Sequence, residues 1–167
     1  YIMNMIEIPA FVPAIQGLKC IDVGSEPFPP VLFDKLKAIN PDLLIVNAYG
    51  PTECTVSCTL KKVVDPSDVT IGVPLANVHV ATMDQNGNLQ PIGEKGELVI
   101  MGDGVGRGYI GREDLNERNF IQVLGMPAYR SGDLVRIREN GDIEFHGRLD
   151  DQVKLRGLRI ELGEVER

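Results

Sequence analysis

The sequence offers little material for a metal centre or a disulfide framework. It contains three cysteines, an odd number, and only two histidines. Cys20, Cys54 and Cys58 form no CxxC pair and have no histidine nearby, which disfavours both kinds of framework. We expect these cysteines to be buried thiols.

Long apolar runs and basic clusters are scarce as well. The longest apolar runs, such as residues 43–46, have the length of a strand and fall far short of a membrane span. The first residues show no leader pattern, so we expect a cytoplasmic protein with no membrane partner. A net charge of −7, with no basic cluster beyond Lys61 and Lys62, disfavours nucleic acid as a partner but leaves room for a nucleotide.

The composition is otherwise that of an ordinary domain, with 43% apolar and 25% charged residues in a chain of 167. The first third predicts a strand over residues 18–23, a helix over residues 32–39 and a second strand over residues 43–46. Strand, helix and strand over this length form the βαβ unit of a parallel sheet. Because ligands of such sheets lie beyond the carboxyl ends of the strands, residues 24–26 and 47–53 are candidate site segments.

From about Thr59 the pattern changes to short strands separated by turns. The dipeptides Asn86-Gly87 and Asn140-Gly141 predict hairpins, and the whole region is typical of a small antiparallel barrel or sandwich. Asp114 as a cap, with Glu117 three residues later, predicts one short helix. Beyond residue 150 the sequence predicts strands around a turn at residues 156–157 and then the start of a helix at residue 162.

Three segments carry residue types suited to a nucleotide. "NAYGPTE", residues 47–53, supplies an amide, an aromatic ring, a hydroxyl and a carboxylate, although a solvated tight turn explains it equally well. Asp133 in "YRSGDL" could accept two ribose hydroxyls, but by itself an Asp-containing turn is the simpler explanation. The charged residues 147–166 would also suit a solvated strand.

The segment "MGDGVGRGYIG", residues 101–111, has five glycines and suggests a phosphate-binding loop. The windows that start at Gly102 and Gly104 fail the GxGxxG spacing, because Arg107 and Tyr109 occupy the third-glycine places. Only residues 106–111 fit that spacing, which by itself is a weak signal, and no GK[ST] follows. We therefore interpret it as a structural bend after the strand over residues 96–101, where glycines permit positive φ and close backbone passage.

Together, "NAYGPTE", "GELVIMGDGVGRGYIG", "YRSGDLVRI" and "GRLDDQVKLRGLRIELGEVE" closely resemble motifs of the adenylate-forming, AMP-binding superfamily. The likeness is to the amino-acid adenylation domains of nonribosomal peptide synthetases, and it covers about a third of the chain. The resemblance implies an α/β plus β fold. Residues 1–60 would end the α/β subdomain, residues 61–149 would form a small distorted antiparallel β-barrel, and residues 150–167 would hold the hinge and the start of the mobile C-terminal lid.

The resemblance also implies a reaction, in which ATP and Mg²⁺ activate an amino acid as its adenylate for transfer to phosphopantetheine on a peptidyl carrier domain. The implied nucleotide-binding residues are Gly24, Ser25, Glu26, Asn47, Ala48, Tyr49, Asp133, Phe145 and Arg148. Thr52 would contact the α-phosphate and Glu53 would hold Mg²⁺ as the catalytic pair. The implied substrate pocket comprises Ile21, Val23, Ala48, Val56 and Ser57, and the implied hinge comprises Asp150 and Lys154.

The family's phosphate loop and catalytic lysine have no counterpart in this sequence, so the resemblance implies a fragment of a larger synthetase. We expect the isolated chain to be inactive and to self-associate through an unpaired sheet edge. Two alternatives stay open. The parent could be an acyl-CoA or aryl-acid ligase of the same superfamily, or a non-catalytic structural module.

Overall fold

The structure is a computed structural model that describes residues 2–150, together with the backbone of two strands over residues 153–155 and 158–160. The helices are α1 (Ile2–Met5), α2 (Val12–Gly17), α3 (Pro30–Ile39) and α4 (Glu113–Asn119), with 3-10 turns at Pro9–Phe11 and Thr52–Cys54. The strands are β1 (Cys20–Gly24), β2 (Leu44–Tyr49), β3 (Thr59–Lys62), β4 (Val73–Pro74), β5 (His79–Met83), β6 (Lys95–Met101), β7 (Phe120–Val123), β8 (Met126–Ile137), β9 (Ile143–Arg148), β10 (Val153–Leu155) and β11 (Leu158–Ile160).

The first sheet contains the predicted βαβ unit. Strands β1 and β2 pair in parallel, with Ile21 opposite Ile45 and Gly24 opposite Ala48, and α3 connects them. Apolar residues of α3 pack with those of β1 and β2 in a core that includes Leu32, Leu36 and Ile45. The parallel pairing predicted from the sequence is therefore confirmed.

Two further strands extend this sheet beyond residue 60. Strand β3 pairs antiparallel with β2, and β4 pairs antiparallel with β3, so the sheet order is β1-β2-β3-β4 and the sheet is mixed. The change of sequence pattern near Thr59 thus marks a change of strand direction within one sheet. The predicted subdomain boundary at residue 60 falls inside β3.

The second sheet is antiparallel and has five strands. Its order is β5-β6-β8-β7, and β9 pairs with the far part of β8. Both of its faces are apolar, because Leu98 and Ile100 of β6 pack in one core while Val99 and Met101 pack in another. The hairpins predicted at residues 86–87 and 140–141 connect β5 to β6 and β8 to β9.

Backbone hydrogen bonds join the two sheets. The Ile71 amide donates to the Ile143 carbonyl over 2.9 Å, and the Ile143 amide donates to the Gly72 carbonyl over 2.9 Å. A half-buried ion pair between Lys61 of β3 and Asp142 before β9 lies alongside them. These contacts bring the ends of β1 and β2 against β8 and β9.

Two local predictions were wrong. Arg112, not Asp114, occupies the N-cap of α4, and Asp114 lies in the first turn, where its carboxylate pairs with the Arg112 guanidinium over 2.9 Å. Cys54 and Cys58 are buried as expected, whereas Cys20 is exposed because it lies on the face of β1 opposite to Ile21 and Val23, which face the core. The predicted turn at residues 156–157 and the helix from residue 162 lie outside the described residues, although β10 and β11 on either side of the turn pair antiparallel.

None of the helices within the described residues has the length and apolar character needed to cross a membrane.

Candidate functional site

A cavity of about 400 Å³ lies where the carboxyl ends of β1 and β2 meet the second sheet. It occupies the edge that a parallel sheet offers to ligands. The lining residues come from four segments: Ser25, Glu26, Pro27 and Phe28 after β1, Asn47, Ala48, Tyr49 and Gly50 at the end of β2, Val69, Thr70 and Ile71 before β4, and Asp133, Phe145 and Arg148 from β8 and β9. Most of the predicted nucleotide-binding residues therefore share one cavity wall.

Asn47 is fixed within this wall by the segment before β4. Its side chain is buried, and its Nδ2 donates a hydrogen bond of 2.8 Å to the Thr70 carbonyl. The Thr70 hydroxyl in turn approaches the Asp142 carboxylate at 3.4 Å. The amide orientation is thus set by the junction between the two sheets.

Tyr49 and Asp133 are linked directly. The Tyr49 hydroxyl donates a hydrogen bond to Oδ2 of Asp133, whose side chain is buried. Burial, and then the negative charge of Asp133, hold the pKa of the Tyr49 phenol well above its usual value of 10. Tyr49 therefore remains a protonated donor at neutral pH, while its ring belongs to the cavity wall.

Arg148 neutralises Asp133 from the other side. Its Nη1 donates to Oδ1 of Asp133 over 2.9 Å and to the Ser131 carbonyl over 2.8 Å. Its Nε and Nη2 donate to the two carboxylate oxygens of Asp150 over 2.8 and 2.6 Å. One guanidinium thus connects the predicted ribose ligand to the predicted hinge residue.

The remaining predicted nucleotide residues lie at or near this wall. Phe145 is 40% exposed and presents only an apolar ring to the cavity. Gly24 pairs with Ala48 across β1 and β2. It is not one of the residues that line the cavity in the described part of the chain. Thr52 and Glu53 lie in the 3-10 turn that follows Gly50 and Pro51, also outside the lining.

The predicted substrate-pocket residues are dispersed. Ala48 lines the cavity, whereas Val23 is buried in the core beneath α3 and Ile21 packs against that core. Strand periodicity explains this placement, because Ile21 and Val23 occupy the same face of β1. Val56 is 69% exposed and adopts a positive φ of 72°, and Ser57 is half-buried.

The segment Val69, Thr70 and Ile71 also lines the cavity, and none of the sequence motifs includes it. Apolar residues on both sides of Thr70, followed by Gly72, form a short alternating pattern that could have suggested a strand-like wall. Of the hinge residues, Asp150 contacts Arg148 as described above. The Lys154 side chain lies outside the described residues, and only its backbone is placed, in β10 opposite Arg159.

The residues near the cavity suit a magnesium ion only in combination with a ligand. Within the described residues no group of three or more His, Cys, Asp or Glu side chains could hold a metal ion. A Mg²⁺ ion that accompanies a nucleotide needs only one or two protein carboxylates, because phosphates and water complete its shell. The Glu53 carboxylate, placed just after β2, fits that requirement.

Residues 2–110 match the family model for the AMP-binding enzyme. The chain belongs to this family. It is 42% identical over 156 residues to gramicidin S synthase 2 of Brevibacillus brevis, a match that covers 91% of the chain and 4% of the relative. Such matches confirm the resemblance to the adenylation domains of nonribosomal peptide synthetases.

Solved structures agree with that family. The chain superposes with a TM-score of 0.87 and 30% identity on PA1221, a nonribosomal synthetase protein containing adenylation and PCP domains, over 98% of this chain and 30% of the other. It superposes with a TM-score of 0.83 and 30% identity on the Vibrio cholerae adenylation domain AlmE in complex with glycyl-adenosine-5′-phosphate, over 98% and 33%. The chain therefore spans about a third of these solved chains and a small part of the synthetase.

Proposed function

We propose that the protein containing this chain activates an amino acid with ATP to form an aminoacyl adenylate. The aminoacyl group then passes to the phosphopantetheine thiol of a peptidyl carrier domain. The observation that carries the proposal is the shared cavity wall of Asn47, Tyr49, Asp133 and Arg148 at the carboxyl ends of β1 and β2. A bound aminoacyl adenylate in AlmE and the PCP domain of PA1221 support it.

Each of these side chains, and each of the two at the 3-10 turn that follows Gly50 and Pro51, would have a chemical task. The Tyr49 ring would offer a face for adenine and Asn47 an amide near the base edge, with Ser25 and Glu26 lining the same cavity. Asp133, neutralised by Arg148, would accept the ribose hydroxyls. Thr52 would contact the α-phosphate. Glu53 would hold Mg²⁺, which offsets the charge of the phosphates.

The reaction is a displacement at the α-phosphorus. A carboxylate oxygen of the amino acid forms the new bond to phosphorus, the bond to the bridging oxygen breaks, and pyrophosphate leaves. The protein contributes mainly by holding the two reactants and by offsetting charge. Ala48, the predicted substrate-pocket residue that lines the cavity, is small and uncharged, which favours a substrate with an uncharged side chain.

A second part of the proposal concerns the lid. Asp150 and Lys154 would form the hinge about which the C-terminal lid swings between the adenylating and thiolating poses. The support within the described residues is the contact of Asp150 with Arg148, which joins this position to the nucleotide cavity.

Amino-acid-dependent exchange of radiolabelled pyrophosphate into ATP tests the reaction in the intact protein. We expect Glu53→Gln to lower the exchange rate about a hundredfold, because a charge that offsets the phosphates is lost. Glu139→Gln, an exposed carboxylate in the turn between β8 and β9, is the matched control and should retain the wild-type rate. An unchanged rate in Glu53→Gln would remove Glu53 from its proposed role.

The same assay separates the alternatives. Activity with a fatty or aryl acid, but with no amino acid, would identify an acyl-CoA or aryl-acid ligase instead. Folded protein without any exchange would favour a non-catalytic module.

The isolated chain is a separate case, since it spans about a third of the solved neighbours. We expect these 167 residues alone to show no exchange and to self-associate through β1, the edge strand of the first sheet. Clear exchange, or a monodisperse monomer by light scattering, would contradict the respective expectation.

A further inference from the structure

Tyr109 contacts the proposed magnesium ligand, although it belongs to the glycine-rich segment of residues 101–111. Its hydroxyl donates a hydrogen bond to Oε1 of Glu53. The two residues are 56 positions apart, so the contact depends on the tertiary fold. The glycine-rich segment therefore contacts the proposed magnesium ligand through the side chain of Tyr109.

Helix α4 holds Tyr109 in this position. Asn116 accepts a hydrogen bond of 2.7 Å from the Tyr109 amide, and its Nδ2 donates one of 2.9 Å to the Tyr109 carbonyl. The ring packs edge-to-face on Phe120, with centroids 5.3 Å apart. At Gly108 an added Cβ would approach Asn116 Oδ1 to 2.8 Å, so a glycine at this position allows Asn116 to form both hydrogen bonds with Tyr109.

The backbone of the same segment forms hydrogen bonds with the 3-10 turn that carries Glu53 and with the residue that follows it. The Gly106 amide donates to the Glu53 carbonyl over 2.7 Å, and the Thr55 hydroxyl donates to the Gly104 carbonyl over 2.8 Å. Both the main chain and the side chain of Glu53 are thus held by residues 104–109. This arrangement restrains a side chain that has three rotatable bonds.

We propose that Tyr109 is a positioning residue that orients the Glu53 carboxylate for the Mg²⁺ ion of the nucleotide complex. A carboxylate can accept a hydrogen bond at one oxygen and still serve as a metal ligand, and such supporting donors affect metal affinity. Asn116 acts one step further away, through the Tyr109 backbone. The inference rests on the proposed function, because it needs Glu53 to be the magnesium ligand.

Calorimetric binding of α,β-methylene-ATP to the intact protein, across a range of Mg²⁺ concentrations, tests the proposal without turnover. Tyr109→Phe keeps the ring and removes the hydroxyl, and we expect it to raise the Mg²⁺ concentration for half-maximal binding about tenfold. Binding of the analogue without Mg²⁺ should stay unchanged. A structural defect in the cavity would weaken binding in both conditions.

Two further variants complete the experiment. Tyr129→Phe is the comparison, since it removes a phenol hydroxyl whose oxygen lies 3.3 Å from that of Tyr109 but leaves the bond from Tyr109 to Glu53 in place, so it should shift the Mg²⁺ requirement less than Tyr109→Phe does. Asn116→Ala leaves Tyr109 itself intact but removes the two hydrogen bonds between the Asn116 side chain and the Tyr109 backbone. It should shift the Mg²⁺ requirement in the same direction as Tyr109→Phe, and it provides the test if Tyr109→Phe fails to fold.

The outcomes separate this inference from the proposed function. If Mg²⁺ does not strengthen binding to the wild type, or if Glu53→Gln keeps the wild-type Mg²⁺ dependence, the role of Glu53 fails and the inference fails with it. If Glu53→Gln loses the dependence while Tyr109→Phe and Asn116→Ala keep it, only the positioning role of Tyr109 is overturned.

Discussion

The Tyr49 hydroxyl donates a hydrogen bond to the Asp133 carboxylate across 84 positions of sequence. The bond joins the end of β2 in the mixed sheet to β8 in the antiparallel sheet. Arg148 engages the other oxygen of the same carboxylate. The aromatic face and the carboxylate that a nucleoside would use are therefore held in fixed relation to each other.

Tyr49→Phe measures what that hydrogen bond contributes to stability and to ATP binding. The ring remains, but Asp133 loses one donor, so we expect the free energy of unfolding to fall by about 1 kcal/mol and the KM for ATP to rise several-fold. Urea unfolding and pyrophosphate exchange measure the two effects. In a cycle with Asp133→Asn, additive losses would show that the two side chains do not act together.

Gly72 and Gly87 form a natural pair for a test of backbone crowding. Both have positive φ, 83° and 86°, but a Cβ at Gly72 would lie 1.9 Å from the Leu60 carbonyl oxygen, whereas one at Gly87 would meet nothing within 4 Å. We expect Gly87→Ala to cost about 1 kcal/mol from φ strain and Gly72→Ala to cost about 3 kcal/mol or more. Equal losses in urea unfolding would show that the close approach of β3 is relieved by small shifts.

The periodicity of apolar residues predicted the helices and strands better than it predicted which strands pair with each other. The βαβ unit follows from strand and helix periodicity, and its parallel pairing follows from the connecting helix. The sheet to which β3 belongs could not be predicted in this way. The alternation within Thr59–Lys62 is the same whether the strand joins the first sheet or the second. The exposure of Cys20 was missed because it depends on which face of β1 is covered by other elements, and the local pattern does not decide that.

The candidate site shows the same division. Motif residues such as Asn47 and Asp133 were predicted by type and position, and they share the cavity wall. The contact between Tyr109 and Glu53 could not be predicted, because it requires a bend, α4 and the 3-10 turn to come together. The cap of α4 was misassigned because the helix begins at Glu113, which places Asp114 in its first turn.

We expect the ion pairs of Glu144 to make the fold less stable in acid. It accepts hydrogen bonds from Arg136 and Arg138 over 2.6 and 2.7 Å, and these lower its pKa from 4.5 to about 2. Because the folded pKa is the lower one, the stabilisation is fully present above about pH 4.5 and is lost as the pH falls towards 2. Urea unfolding from neutral to acid pH should show a shallower decline for Glu144→Gln than for the wild type. Equal slopes would exclude Glu144 as a contributor.

Arg148→Lys tests whether one guanidinium links the nucleotide cavity to the predicted hinge. Arginine contacts Ser131, Asp133 and Asp150 at once through a planar set of donors, and a lysine ammonium cannot reproduce that geometry. We expect the KM for ATP to rise about tenfold in pyrophosphate exchange, because Asp133 loses its guanidinium partner and keeps only the hydrogen bond from Tyr49. Asp150→Asn removes the charge at the hinge side only, so it should leave that KM near the wild-type value while slowing loading of the carrier domain. If Asp150→Asn raised the KM for ATP as much as Arg148→Lys, the two sides of the guanidinium would act as one unit, and the separation of cavity and hinge would be wrong.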